Sequence, residues 1–151
     1  LGARDSLRLE AGLCLYGQDM DAGLNPVEAS LAWAIQKVRR EGGARTGGFP
    51  GANVILSALK DGAHRHRVGL QPDGRAPMRQ GVPLFASTEG GEQIGFVTSG
   101  GFGPTVNGPV AMGIVADGLH TPGTTLFGEL RGKRLPVTVA ALPFVPAKFK
   151  R

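Results

Sequence analysis

A single acid on an apolar helical face is the first residue that could do chemistry. Residues 2–13 carry apolar side chains at helical spacing, and Asp5 or Ser6 can cap the start by accepting from free backbone N–H groups. Gly12 or Gly17 can stop the helix. At about 100° per residue, Leu7, Ala11, Cys14 and Leu15 form one arc, which Leu9 and Leu13 extend. Glu10 falls between Leu13 and Cys14 on that wheel, away from the wet face that holds Arg8. A carboxylate placed there must find donors or change its charge state. Two roles fit: a structural acceptor or ion-pair partner, and a group facing a ligand rich in N–H donors. Spacing alone leaves both open.

The other reactive side chains are less suggestive. His64 and His66 flank Arg65, and His120 sits in a turn. A His-X-His pair can bind a metal, but no cysteine pair accompanies it and arginines lie on both sides, so these histidines read as solvated surface and no metal is expected. Cys14, the sole cysteine, lies between two leucines and reads as a small buried hydrophobe. It rules out an internal disulfide framework. Residues 98–104 (Thr-Ser-Gly-Gly-Phe-Gly-Pro) lack the Lys-Ser/Thr end of a phosphate loop, and Ser99 has no evident base. They read as a tight turn where the backbone approaches something closely. Residues 76–79 form another compact turn, ending in an exposed arginine, Arg79.

The elements that position these residues divide the chain near residue 66. Asn25 can cap a helical turn with Pro26 at its first position and Glu28 completing a capping box; residues 31–35 then pass into a strand. Residues 41–48 are a flexible loop by composition, and residues 51–61 an amphipathic helix stopped by Gly62. Beyond, β-prone runs at 67–70, 83–86, 93–99, 110–115, 125–131 and 135–141 alternate with turn signals, the last two joined as a hairpin around Gly132. The expected fold is α+β: a short helical region, 1–66, followed by a small antiparallel six-stranded β-barrel, 67–151.

With 151 residues, 25 of them glycine and 11 proline, the chain suits one compact domain or a domain plus part of another. It begins at Leu1, inside helical sequence, and so reads as a piece of a longer protein. The net charge of +5 is scattered without interleaved aromatics, which argues against a nucleic-acid platform, and no apolar run approaches a membrane span.

Residues 3–17 (Ala-Arg-Asp-Ser-Leu-Arg-Leu-Glu-Ala-Gly-Leu-Cys-Leu-Tyr-Gly) resemble the aminomethyltransferases, or T-proteins, of the glycine cleavage system. So do residues 26–29, 74–79, 97–102, 110–113 and 143–146, in order and nearly end to end. The resemblance implies a tetrahydrofolate enzyme with three domains in a cloverleaf, of which this is the C-terminal part. The family takes a methylene group from an aminomethyl on the dihydrolipoyl arm of the H-protein, forms 5,10-methylenetetrahydrofolate and releases ammonia. It implies that Glu10, Arg39 and Phe149 bind folate, with Phe149 at a position where the family has tyrosine. Its functional aspartate would lie in N-terminal sequence outside this chain, so no catalytic residue is expected here and the chain alone is expected to be inactive. The partners implied are folate and lipoylated H-protein. The implied location is the bacterial cytoplasm, or the mitochondrial matrix in a eukaryote. Two related classes share the pattern: sarcosine or dimethylglycine oxidases and dehydrogenases, and non-enzymatic folate-binding paralogues. The latter carry a Lys-Gly-Cys-Tyr-like motif that residues 12–18 match only loosely.

Overall fold

Turn-rich sequence with short β-prone runs solves its edge problem by closure, because a closed sheet has no unpaired edge strand. The computed structural model describes residues 2–148, and in it six antiparallel strands form a closed barrel in the order β1-β4-β3-β2-β5-β6. They are β1 (Arg65–Pro72), β2 (Pro83–Phe85), β3 (Gln93–Gly103), β4 (Gly108–Ala116), β5 (Thr125–Leu130) and β6 (Lys133–Ala140). β1 closes the ring by pairing with both β4 and β6, as in Val68↔Gly113 and Leu70↔Val139. The β5–β6 hairpin turns on Arg131-Gly132, both with positive φ, which matches a two-residue turn between strands of right-handed twist.

The barrel interior is filled by Leu70, Leu84, Val97, Ala111, Val115, Leu126, Val137 and Val139. Met78 enters it from the segment between β1 and β2, beside Gly128, where any Cβ would collide with the methionine side chain. β4 is buried on both faces. Ala111 and Val115 face the interior core, while Val110 and Met112 pack outward against Leu9 of α1 (Gly2–Glu10).

α1 begins earlier than expected, so Asp5 and Ser6 lie inside it and do not cap it. Its end is at Gly12: with φ +67 there, the Gly12 and Leu13 N–H groups donate back to the Leu9 and Arg8 carbonyls at 3.0 and 2.9 Å. Because the helix stops, Leu13, Cys14 and Leu15 leave the wheel on which the sequence placed them. Leu7 and Leu13 are exposed, and only Leu9 and Glu10 of the helix are buried.

The capping box at residues 25–28 forms. Asn25 Oδ1 accepts from the Val27 and Glu28 N–H groups, and Glu28 Oε2 accepts from Asn25 N–H. It starts only one turn, ended by Ser30 at φ 58. No strand follows. Two 3-10 helices, Ala32–Ala34 and Lys37–Arg39, take its place. The closed barrel offers no free edge, and the Ala32 and Ile35 carbonyls accept instead from the Arg40 guanidinium. Residues 41–48, expected to be flexible, fold back on this segment, with Arg45 N–H donating to Val38 and Gly47 N–H to Arg39. α2 (Ala52–Asp61) ends at Gly62 as expected.

Candidate functional site

Glu10 is the last residue of α1, and the glycine that stops the helix aims its side chain under the β3–β4 turn. It is 3% exposed. Its Oε1 accepts from the backbone N–H groups of Thr105 at 2.6 Å and Val106 at 2.9 Å. Gly103 makes the room: a Cβ there would lie 2.9 Å from that oxygen. Burial pushes the Glu10 carboxyl up, but the N–H bonds from Val106 and Thr105 outweigh it and hold the group below its ordinary range. The residue is therefore an anion at neutral pH, anchored through one oxygen. No protein donor reaches Oε2 among the described residues.

The chain's other end returns to this point. Val145 N–H donates to the Glu10 carbonyl at 3.1 Å, and Phe144 packs on the cluster around Leu9. Phe149 itself lies outside the described residues. Arg39 is brought into no contact with Glu10. Its Nη1 donates to the Gly47 carbonyl at 3.1 Å and spans the folded 41–48 loop. The neighbouring Arg40 is likewise tied to backbone carbonyls.

Between α1 and β3 a cleft of about 440 Å³ is lined by Asp5, Arg8, Gln18, Arg79, Ser99 and Gly101, among others. Behind it stands a polar network that sequence reasoning missed. Asp19 is buried; one oxygen accepts from Arg8 Nη1 and the Leu15 N–H, and the other accepts from the Thr98 hydroxyl at 2.5 Å. Arg8 Nη2 reaches Ser99 Oγ at 2.8 Å and Gln18 Oε1 at 3.0 Å. Asp19 reads locally as a loop acid between Gln18 and Met20, and its partners in β3 are about eighty residues away in sequence. The Arg8 guanidinium is thereby held at both terminal nitrogens by the protein's own acceptors, with the Asp19 carboxylate as its charged partner. Arg79, exposed as expected, forms no ion pair among the described residues.

Three further expectations change. The glycine-rich stretch at 98–103 is the end of strand β3, with a register shift between Val97 and Ser99, and not a turn. Close backbone approach is nonetheless its purpose, since a Cβ on Gly100 would overlap the Met78 carbonyl. Cys14 is half-buried, and burial pushes its thiol up, away from reactivity. His66 and His120, read as solvated, stack on one another, and the neighbouring Arg67 is buried, donating to the Ala29 carbonyl at 2.7 Å and the Gly12 carbonyl at 3.0 Å.

Comparison with known proteins places these features. Residues 65–146 match the model described as the glycine cleavage T-protein C-terminal barrel domain, and residues 1–39 match the GCVT N-terminal domain. The mitochondrial aminomethyltransferase of Flaveria anomala is 52% identical over 149 residues, 99% of this chain and 35% of that protein. The corresponding protein of Dictyostelium discoideum is 45% identical over 152 residues, with 36% of its length covered. The crystal structure of glycine cleavage system aminomethyltransferase T from Bartonella henselae superposes with a TM-score of 0.85 at 52% identity, over 95% of this chain and 38% of that one. The chain thus spans little more than a third of the length of the relatives it matches.

Proposed function

The chain belongs to the glycine cleavage T-protein family, and from that membership we propose that it supplies the C-terminal part of a tetrahydrofolate-dependent aminomethyltransferase. In the proposed reaction the carbon of an aminomethyl group on the dihydrolipoyl arm of the H-protein loses its bonds to sulfur and nitrogen. It gains bonds to two nitrogens of tetrahydrofolate. The two protons displaced there go to the thiol and to the departing ammonia. Residues 1–66 would close the folate region and residues 67–151 form the barrel, a division the two family matches support.

The observation that carries the reading is Glu10. Two backbone donors hold one carboxylate oxygen and keep the group ionised, which leaves the other oxygen oriented as an acceptor for the N–H edge of a pterin. Phe149, which the resemblance assigns to folate, would supply a ring for stacking. Arg39 would offer a guanidinium to the folate's carboxylates or ring, in exchange for its contact with Gly47. The chain alone would turn nothing over, because the aspartate that the resemblance assigns lies elsewhere. Its location would be the bacterial cytoplasm or the mitochondrial matrix, the latter in keeping with the names of the eukaryotic relatives. No helix among the described residues is long and apolar enough to cross a membrane.

The test is tetrahydrofolate calorimetry on this chain and on a protein that also carries the N-terminal region of the relatives. Glu10→Gln is the variant of choice, because its amide oxygen can still accept from Thr105 and Val106. Loss of about 1.5–3 kcal/mol of affinity in the longer protein, with folding retained, supports a ligand role for the charge. Equal binding by Glu10→Gln returns Glu10 to a purely structural role.

A further inference from the structure

The geometry points to a divalent-cation site of the zinc class formed by His66, Asp117 and His120, on the barrel rim at the β4–β5 turn. It rests on the chain's own residues and not on the folate reading. His66 lies in β1 opposite Val115 of β4, so Asp117 emerges two residues further along the neighbouring strand. The Asp117 N–H donates to the His64 carbonyl at 2.9 Å, which pins the exit of β4 against β1. Gly118, at φ +84, then reverses the chain, and His120 returns over His66 with ring centroids 3.8 Å apart.

Three donor atoms converge as a result. Asp117 Oδ1 lies 2.8 Å from His66 Nε2 and 3.6 Å from His120 Nδ1, and all three ligand atoms fall within 4.8 Å of one another. Donors around a tetrahedral zinc at about 2.0–2.1 Å from the metal sit roughly 3.4 Å apart, close to the 3.6 Å between Asp117 and His120, and the two stacked rings would part to turn both in-plane lone pairs on the ion. His120 Nδ1 is screened from solvent and has no hydrogen-bond partner. In the tautomer protonated at Nε2, His120 Nδ1 offers its lone pair beside a carboxylate that cannot donate to it, and a cation would satisfy both. Two imidazoles and one carboxylate form a donor set of borderline softness, and water would complete it.

The arginines that counted against a metal in the sequence are directed elsewhere. Alternation along β1 turns Arg65 and Arg67 away from the His66 face. Arg65 pairs with Glu28 at 2.9 Å, and Arg67 binds the Ala29 and Gly12 carbonyls inside the protein. The bound ion would displace the proton that His66 shares with Asp117, and so would staple the β4–β5 turn to β1.

The experiment is zinc titration of the untagged full chain by calorimetry in chelator-treated buffer at neutral pH, with melting temperature followed in parallel. One zinc per chain is expected, with a rise in melting temperature that grows with zinc concentration. His120→Ala and Asp117→Asn should each weaken binding by more than the roughly 10–100-fold typical of losing an outer-shell partner. His64→Ala, an exposed neighbour outside the triangle, should bind as the parent does. In the parent protein, zinc should shift the ring-nitrogen resonances of His66 and His120 and leave those of His64 in place, a result that needs no variant to fold. The proposal is overturned by absence of saturable one-to-one binding, by binding that survives His120→Ala or Asp117→Asn, or by a His64 resonance that shifts with the others.

Discussion

Replacing Glu10 tests whether the fold itself depends on the acid at the end of α1. In Glu10→Ala the Thr105 and Val106 N–H groups, now bonded at 2.6 and 2.9 Å, lose their acceptor. An unpaired buried donor costs about 1–3 kcal/mol, and the partly open turn lets water recover some of that, so roughly 1–1.5 kcal/mol per bond applies. Removing a desolvated carboxylate gives a little back. The expected net loss is about 2–3 kcal/mol, or roughly 5–10 °C in melting temperature for a chain of this size. Glu10→Gln keeps an oxygen for the same two donors and should lose only about 1 kcal/mol, the difference between a charge-assisted and a neutral acceptor. Urea unfolding followed by circular dichroism reads both, with an unchanged denaturant slope expected. The reasoning is refuted if Glu10→Ala lies within about 0.5 kcal/mol of the parent, or if Glu10→Gln is as damaging as Glu10→Ala.

Asp19→Asn strands the Arg8 guanidinium beside a buried amide and should cost about 3 kcal/mol, near the low end for a broken buried pair because Arg8 keeps Gln18 and Ser99; chemical denaturation measures it. Gly100→Ala forces a Cβ into the Met78 carbonyl, where backbone must move, and should cost at least about 2–3 kcal/mol, whereas Ala at the uncrowded Gly108 should be far milder in the same assay. Arg67→Lys should not rescue Arg67→Ala, since one ammonium cannot span the Ala29 and Gly12 carbonyls; both variants should melt lower by a similar amount. Acid should destabilise the chain in a defined window. Glu10 and Glu28 are held below their ordinary value of 4.5 by hydrogen bonds that outweigh burial, and Asp117 below its 3.8 by His66 first and the Gly118 N–H second. Depressed carboxylates contribute stability that is complete above the unfolded-state values and is lost as pH falls through the folded ones. Unfolding midpoints should therefore hold down to about pH 4.5 and drop below it; a midpoint that rises on acidification through that window would contradict the assignment.

What the sequence determined by itself is what short-range chemistry determines. Gly12 and Gly62 end their helices because only a residue free of a Cβ adopts positive φ without strain. Asn25 and Glu28 bond one another's backbone because they are three residues apart, and all six strands lie where β-prone runs meet turn residues. Glu10 was conspicuous because an acid on an apolar arc violates the helical pattern. The family resemblance was equally legible in the motifs. Only the tertiary structure could show that Glu10 reaches the Thr105–Val106 turn, that the glycines at 100 and 101 continue a strand, and that residues 31–35 find no sheet edge to join. The same holds for buried Asp19 and Arg67 and for the meeting of His66 with Asp117 and His120, partners separated by dozens of residues. Local rules set each backbone's preference, but closure of the barrel decides which distant side chains share a space too dry to leave them unpaired.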